Sequence, residues 1–188
     1  KSKNLKKIYF LVGDYNLIRS EGKDFTNVWF VHLRYNQELT NLFRIEGFLQ
    51  SQHNKILDVN LRNLAGVGIR LKLFSKENFR LYWGNAYMYE NEINDELNLD
   101  LRFHRLSSYM SMTAEFPNGN IGFYNTIYYQ PLFKKFGDFR ILNQFKADVE
   151  LNKHFNVFAL FDYFYDSITP KDRSQYSSTL SFGFGIRF

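Results

Sequence analysis

The residues best suited to acid–base chemistry in this 188-residue chain are its four histidines, His32, His53, His104 and His154. Two have carboxylates or hydroxyls close in sequence: His53 is followed by Asp58, and His104 is flanked by Asp100, Ser107 and Ser108. A hydrolase set into a barrel wall needs a nucleophile or an activated water beside such a base, so these are the groups to test for catalysis. Neither forms a recognisable motif, and a His near an Asp arises by composition alone in segments this polar. No catalytic residue is assigned, and no enzymatic activity is expected. None of the histidines has metal-ligand spacing and the chain has no cysteine, so neither a metal site nor a cofactor is expected. The acidic stretch ENEINDELNLD (90 to 100) has the chemistry to hold divalent cations that bridge lipopolysaccharide, although a run of like charge reads first as a solvated loop.

Most other charges recur at alternate positions. Segment 61 to 73, LRNLAGVGIRLKL, sets Ala65, Val67, Ile69 and Leu71 against Arg62, Gly66, Gly68, Arg70 and Lys72. Segment 139 to 151, FRILNQFKADVEL, repeats the scheme with Phe145, Ala147 and Val149 against Gln144, Lys146, Asp148 and Glu150. A period of two defines a strand with one apolar and one polar face. Arg34, Arg44, Glu46, Arg70, Lys72, Arg80, Lys146, Asp148 and Glu150 all belong to the polar face, together with Arg62. His32 is expected there opposite Glu46, and Arg140 is expected to pair with Asp166. Asp100, Arg102 and His104 fall instead on the apolar side, which calls for a bulge near Arg105 or for protrusion beyond the apolar band.

About ten strands follow, at 6 to 19, 25 to 36, 41 to 53, 61 to 74, 79 to 91, 99 to 116, 121 to 131, 139 to 151, 155 to 166 and 176 to 188. Tight turns are expected at 36 to 40, 75 to 78, 117 to 120 and 152 to 154, and longer loops at 20 to 24, 53 to 60, 90 to 98, 131 to 138 and 167 to 175. Each tight turn ends in a small polar residue before an apolar strand start, at Asn41, Asn78, Asn120 and His154. Asn4 continues that series one hairpin earlier. A strand is therefore expected before Lys1, most economically a hairpin that brings the total to about twelve.

The strands are long enough to cross a bilayer at a tilt, for which about nine to eleven residues suffice. No apolar run approaches the roughly 18 residues of a spanning helix. Aromatics make up 19% of the chain while mean hydropathy is only -0.39, the composition of a two-faced surface. The net charge of +5 is mild and scattered, so nucleic-acid binding is not expected. The reading is an all-β, antiparallel, up-and-down transmembrane β-barrel occupying residues 1 to 188 as one domain, with charges inside and apolar residues toward lipid. Tyr87, Tyr89, Tyr129, Tyr163 and Tyr165 would form its interfacial girdle. The competing architecture is a soluble lipocalin-like barrel with the two faces exchanged.

The ending YSSTLSFGFGIRF places Phe182, Phe184, Ile186 and Phe188 at alternate positions and resembles the C-terminal assembly signal of bacterial outer-membrane proteins. The stretches YYQPLFKKFGDFRILNQ (128 to 144), GDYNLIRSEGKDF (13 to 25) and HLRYN (32 to 36), with GFGIRF at the end, resemble the YdiY-like family described as salt-induced outer-membrane proteins, a domain of unknown function (481). The likeness spans nearly the whole chain and is to members of the Bacteroidetes type, which begin with a further strand pair. It implies the outer membrane of a Gram-negative bacterium, with tight turns periplasmic and long loops extracellular. The expected contacts are the bilayer and lipopolysaccharide, the barrel-assembly machinery during insertion, and other outer-membrane proteins in a complex. The role expected is a structural or accessory barrel. The alternatives are a narrow polar pore and a barrel lipid hydrolase or protease.

Overall fold

The computed structural model describes residues 6–20, 23–55, 59–94, 99–116, 120–169 and 174–186. They form ten antiparallel strands in one sheet: β1 (Lys7–Ser20), β2 (Lys23–Glu38), β3 (Phe43–Asn54), β4 (Val59–Lys76), β5 (Phe79–Asn94), β6 (Leu99–Glu115), β7 (Ile121–Leu132), β8 (Lys135–Glu150), β9 (Phe155–Asp166) and β10 (Tyr176–Ile186). Spatial order equals chain order, which is the up-and-down topology read from the alternation. Among the described residues no ladder joins β1 to β10, so the sheet is curled but not closed. Phe188 and the expected strand before Lys1 lie outside the described residues.

Register follows the hydrophobic pattern, because a one-residue slip would turn every side chain to the wrong face. Across the turn at 152 to 154 the pairs are Val149 with Val157, Ala147 with Ala159 and Phe145 with Phe161, alternating with Glu150–Asn156 and Gln144–Asp162. The side chain of Asn152 fixes that turn by accepting from the amides of His154 and Phe155.

The connections depart from expectation at the end of the sheet where β1 meets β2, called here the upper end. Residues 20 to 24 and 131 to 138 are not long loops: β2 resumes at Lys23, and Leu132 pairs directly with Lys135. The polar stretch after Tyr89 continues β5 as far as Asn94. Polar composition suggests a loop at these positions, but a hairpin reaching past an apolar band needs no apolar face, so its polar residues stay in the ladder. The strands thus run from 11 to 18 residues; the long connection expected at 167 to 175 does separate β9 from β10, and elsewhere the contrast between short turns and long loops becomes one of strands extended at the upper end.

Curvature identifies the inside. The Arg34 guanidinium on β2 donates to the Tyr128 hydroxyl on β7, Tyr109 on β6 donates to Glu46 on β3, and Arg140 on β8 donates to Glu90 on β5. Side chains of strands so far apart in the order meet only on a concave face. That face carries the charges. The convex face carries exposed apolar groups, among them Val67 (64% exposed), Leu49 (58%) and Phe182 (78%). Among the described residues, buried polar or charged residues number ten, from Asn36 to Asp166, against four buried hydrophobic ones, Val59, Ala86, Met88 and Tyr109. A soluble barrel has the reverse arrangement.

Candidate functional site: the polar interior

Two layers of side chains fill the concave face. The upper is an ion network centred on Glu90, which is fully buried. Glu90 contacts Arg62 at 3.2 Å, Arg105 at 3.2 Å and Arg140 at 2.5 Å. Each arginine also holds a second acid: Arg62 to Glu92 at 2.6 Å, Arg105 to Asp138 at 3.0 Å and Arg140 to Asp166 at 2.7 Å. The Arg140–Asp166 pair was expected, since the two face each other in the β8–β9 ladder. The network ties β4, β5, β6, β8 and β9 into one polar plug, in which each buried charge has an opposite charge beside it.

The lower layer is built around Tyr109. Its ring lies across Gly84, the residue paired with it on β5, where an added Cβ would overlap the ring. Glycine is required there for the close approach. The hydroxyl thereby reaches Glu46 at 2.7 Å. The Arg34 guanidinium sits 5.8 Å from the Tyr109 ring centre and that of Arg70 6.0 Å, with Arg70 also 4.1 Å from the Tyr82 ring. Such cation–aromatic contacts offset part of the cost of burying charge.

The remaining interior charges named from the sequence pair locally, Arg44 with Glu38 at 2.7 Å, Arg80 with Glu115 at 3.0 Å and Lys146 with Asp148 at 2.7 Å. Glu150 faces Asn156, and Lys72 faces Tyr82 beside a register shift in β4. His32 does not oppose Glu46. It stands across from Gln50 and shares a 2.9 Å hydrogen bond with it, while Glu46 pairs with Asn36.

The groups considered for catalysis are dispersed. His53 contacts the Asn60 carbonyl at 2.7 Å and stacks on Trp29; Asp58 lies outside the described residues. His104 contacts the Tyr87 hydroxyl on the convex face, whereas Ser107 is buried on the concave face. Ser108 accepts from the Trp83 indole at 3.2 Å, and Asp100 is held by Asn91 and Arg102. The β5–β6 register is unbroken from Asn94–Leu99 to Phe79–Ala114, so the bulge expected near Arg105 is absent. His104 instead lies at the upper end of the convex face, beyond the most apolar part of the band. Among the described residues no group of three or more His, Asp or Glu has the arrangement of a metal site. The acidic stretch itself is divided: Glu90 and Glu92 point inward to arginines, and residues 95 to 98 lie outside the described ones.

The Glu90 network is the feature that the sequence reading missed. Its signal was present as the alternation of Glu90 and Glu92 with Asn91 and Ile93, masked by a composition that suggested a loop. On the convex side the tyrosines join into chains: Tyr87 stacks on Phe133 with ring centres 6.1 Å apart, and Phe139 bridges Tyr129 and Tyr165 at 5.4 and 6.0 Å.

An up-and-down sheet curled around a charged, internally bonded filling, with apolar side chains turned outward, defines a barrel-like all-β protein of inverted polarity. Residues 6–188 match the family described as "Protein of unknown function, DUF481", and the chain belongs to that family. No curated protein and no solved structure matches it.

Proposed function

We propose that the protein is a non-catalytic wall component of the outer membrane of a Gram-negative bacterium, a structural or accessory barrel whose convex face contacts lipid. The observation that carries this reading is the exchange of faces: apolar residues exposed outward and ion pairs buried inward, the arrangement hydrocarbon requires. The tyrosine chains match an interfacial girdle, and polar outward residues at the upper end, Asn63, Asn91 and Arg102, match the rim that meets lipopolysaccharide and the exterior. The alternation of Phe182, Phe184 and Ile186 on β10 supports handling by the barrel-assembly machinery, and the exposed face leaves room for other outer-membrane proteins. A pore is the weaker reading, because Arg34 spans from β2 to β7 and the Glu90 network spans from β4 to β9, both inside the bore.

Both tryptophans lie on the convex side, Trp83 toward the lower end and Trp29 toward the upper. The test is fluorescence of the chain reconstituted in vesicles of brominated phospholipid. Strong quenching relative to unbrominated vesicles is expected. Unquenched emission, together with a monodisperse folded protein in detergent-free buffer, would refute the membrane reading.

A further inference from the structure

Arg34 and Arg70 stand apart from the other arginines of the interior. Arg44, Arg62, Arg80, Arg105 and Arg140 each have a carboxylate within ion-pair distance. Among the described residues neither Arg70 nor Arg34 has an ion pair: Arg70 lies against the Tyr82 and Tyr109 rings, and Arg34 against the Tyr109 ring with a 3.4 Å bond to the Tyr128 hydroxyl. The Nε–H of both is buried without an acceptor, as it is in Arg44 and Arg105, but here no carboxylate stands within ion-pair distance among the described residues. Glu46 lies near enough to Arg34 to interact electrostatically, but its Oε2 is held by the Tyr109 hydroxyl at 2.7 Å. Two guanidinium groups gathered around one aromatic ring, with a single and already engaged carboxylate beside them, leave a surplus of positive charge in a shielded place. Both arginines are half-buried, and drawing cations even partly out of water with too little counter-charge is costly.

We infer that Arg34 and Arg70 bind a small oxyanion of phosphate size inside the sheet, at the level of Tyr109. A guanidinium presents a planar fork of donors that matches paired oxygens, and two such forks can hold a tetrahedral anion from two sides. Tyr109 lies against both. Its ring supports both cations, and its hydroxyl keeps Glu46 turned to itself and not to Arg34. This rests on the polar face being an enclosed interior, and it holds whether or not solute passes through.

The experiment is isothermal titration of the folded full chain in detergent with inorganic phosphate, in a chloride background. Saturable binding is expected. Arg34→Gln and Arg70→Gln should each weaken it by about tenfold or more, the loss of a charge-assisted contact. Arg80→Gln, whose partner is Glu115, should leave it unchanged. Glu46→Gln keeps an acceptor for Tyr109 and removes the opposing charge, so binding should tighten by about threefold or more at a screened site; a gain of affinity cannot come from misfolding. Absence of saturable binding in the parent overturns the inference, as does an affinity indifferent to both arginine substitutions or one weakened by Glu46→Gln. Brominated-lipid quenching reports the membrane reading independently, so the two fail separately.

Discussion

Replacing Glu90 by Gln removes the central charge of the upper network while keeping its shape. The arrangement of pairs sets the size of the effect. Three arginines surround Glu90, yet each keeps its own acid when Glu90 is neutralised: Arg62 keeps Glu92, Arg105 keeps Asp138 and Arg140 keeps Asp166. No cation is stranded, and the cost is the difference between charged and neutral hydrogen bonding at one buried hub, about 2–3 kcal/mol. Arg140→Gln acts differently. Among the described residues it leaves Asp166 with the Ile168 amide at 3.3 Å and no cation, and it also takes one of three arginines from Glu90. Breaking a buried pair from one side costs about 3–5 kcal/mol. The order is therefore Arg140→Gln more damaging than Glu90→Gln, by about 1 kcal/mol or more, roughly a factor of five to ten in the folding equilibrium. Urea unfolding in detergent micelles, followed by tryptophan emission, measures both. A Glu90→Gln protein within about 0.5 kcal/mol of the parent, well below the charged-bond range, or a reversed order, would refute the reasoning that the network is held from its centre.

Two further outcomes follow from the packing of the two faces. Gly84→Ala places a methyl group where the Tyr109 ring lies, so the ring must lift and its bond to Glu46 must lengthen. A loss of about 1–3 kcal/mol in urea unfolding is expected, with a change in the near-ultraviolet dichroism of tyrosine. Val67→Arg puts a charge on the convex face in the middle of β4 and should cost about 2–4 kcal/mol in lipid, while Asn63→Arg, on the same face but nearer the upper end, should cost about 1 kcal/mol or less. Folding efficiency into vesicles measures both, and equal effects at the two positions would contradict a lipid-facing band.

Strand number, order and the β8–β9 register were legible because the faces differ in chemistry at every second residue, and a tight turn then fixes which residues oppose. The pairing of Arg140 with Asp166 came from the same local rule. What alternation does not encode is curvature. The contacts that join Arg34 to Tyr128, Tyr109 to Glu46 and Arg140 to Glu90 connect strands two or more places apart in the order, and they depend on how tightly the sheet bends. His32 was misassigned by a smaller error of the same kind: the turn between β2 and β3 sets Gln50, not Glu46, across from it. Glu90 and Glu92 are hidden because acidic and amide residues have the composition of a loop, although they alternate in a strand that outruns the apolar band.

Among the described residues the two margins of the sheet have no partner strand, and that carries a physical demand. On β10, an eleven-residue strand, about half of the main-chain amides and carbonyls point away from β9, and β1 presents a similar row on its outer side. Water would satisfy them at no great cost, but oil would charge several kcal/mol for every one left bare. In a bilayer, then, these lips must be sutured, either to each other or to additional strand laid between them, and the same chain could rest unsealed only where water reaches the seam.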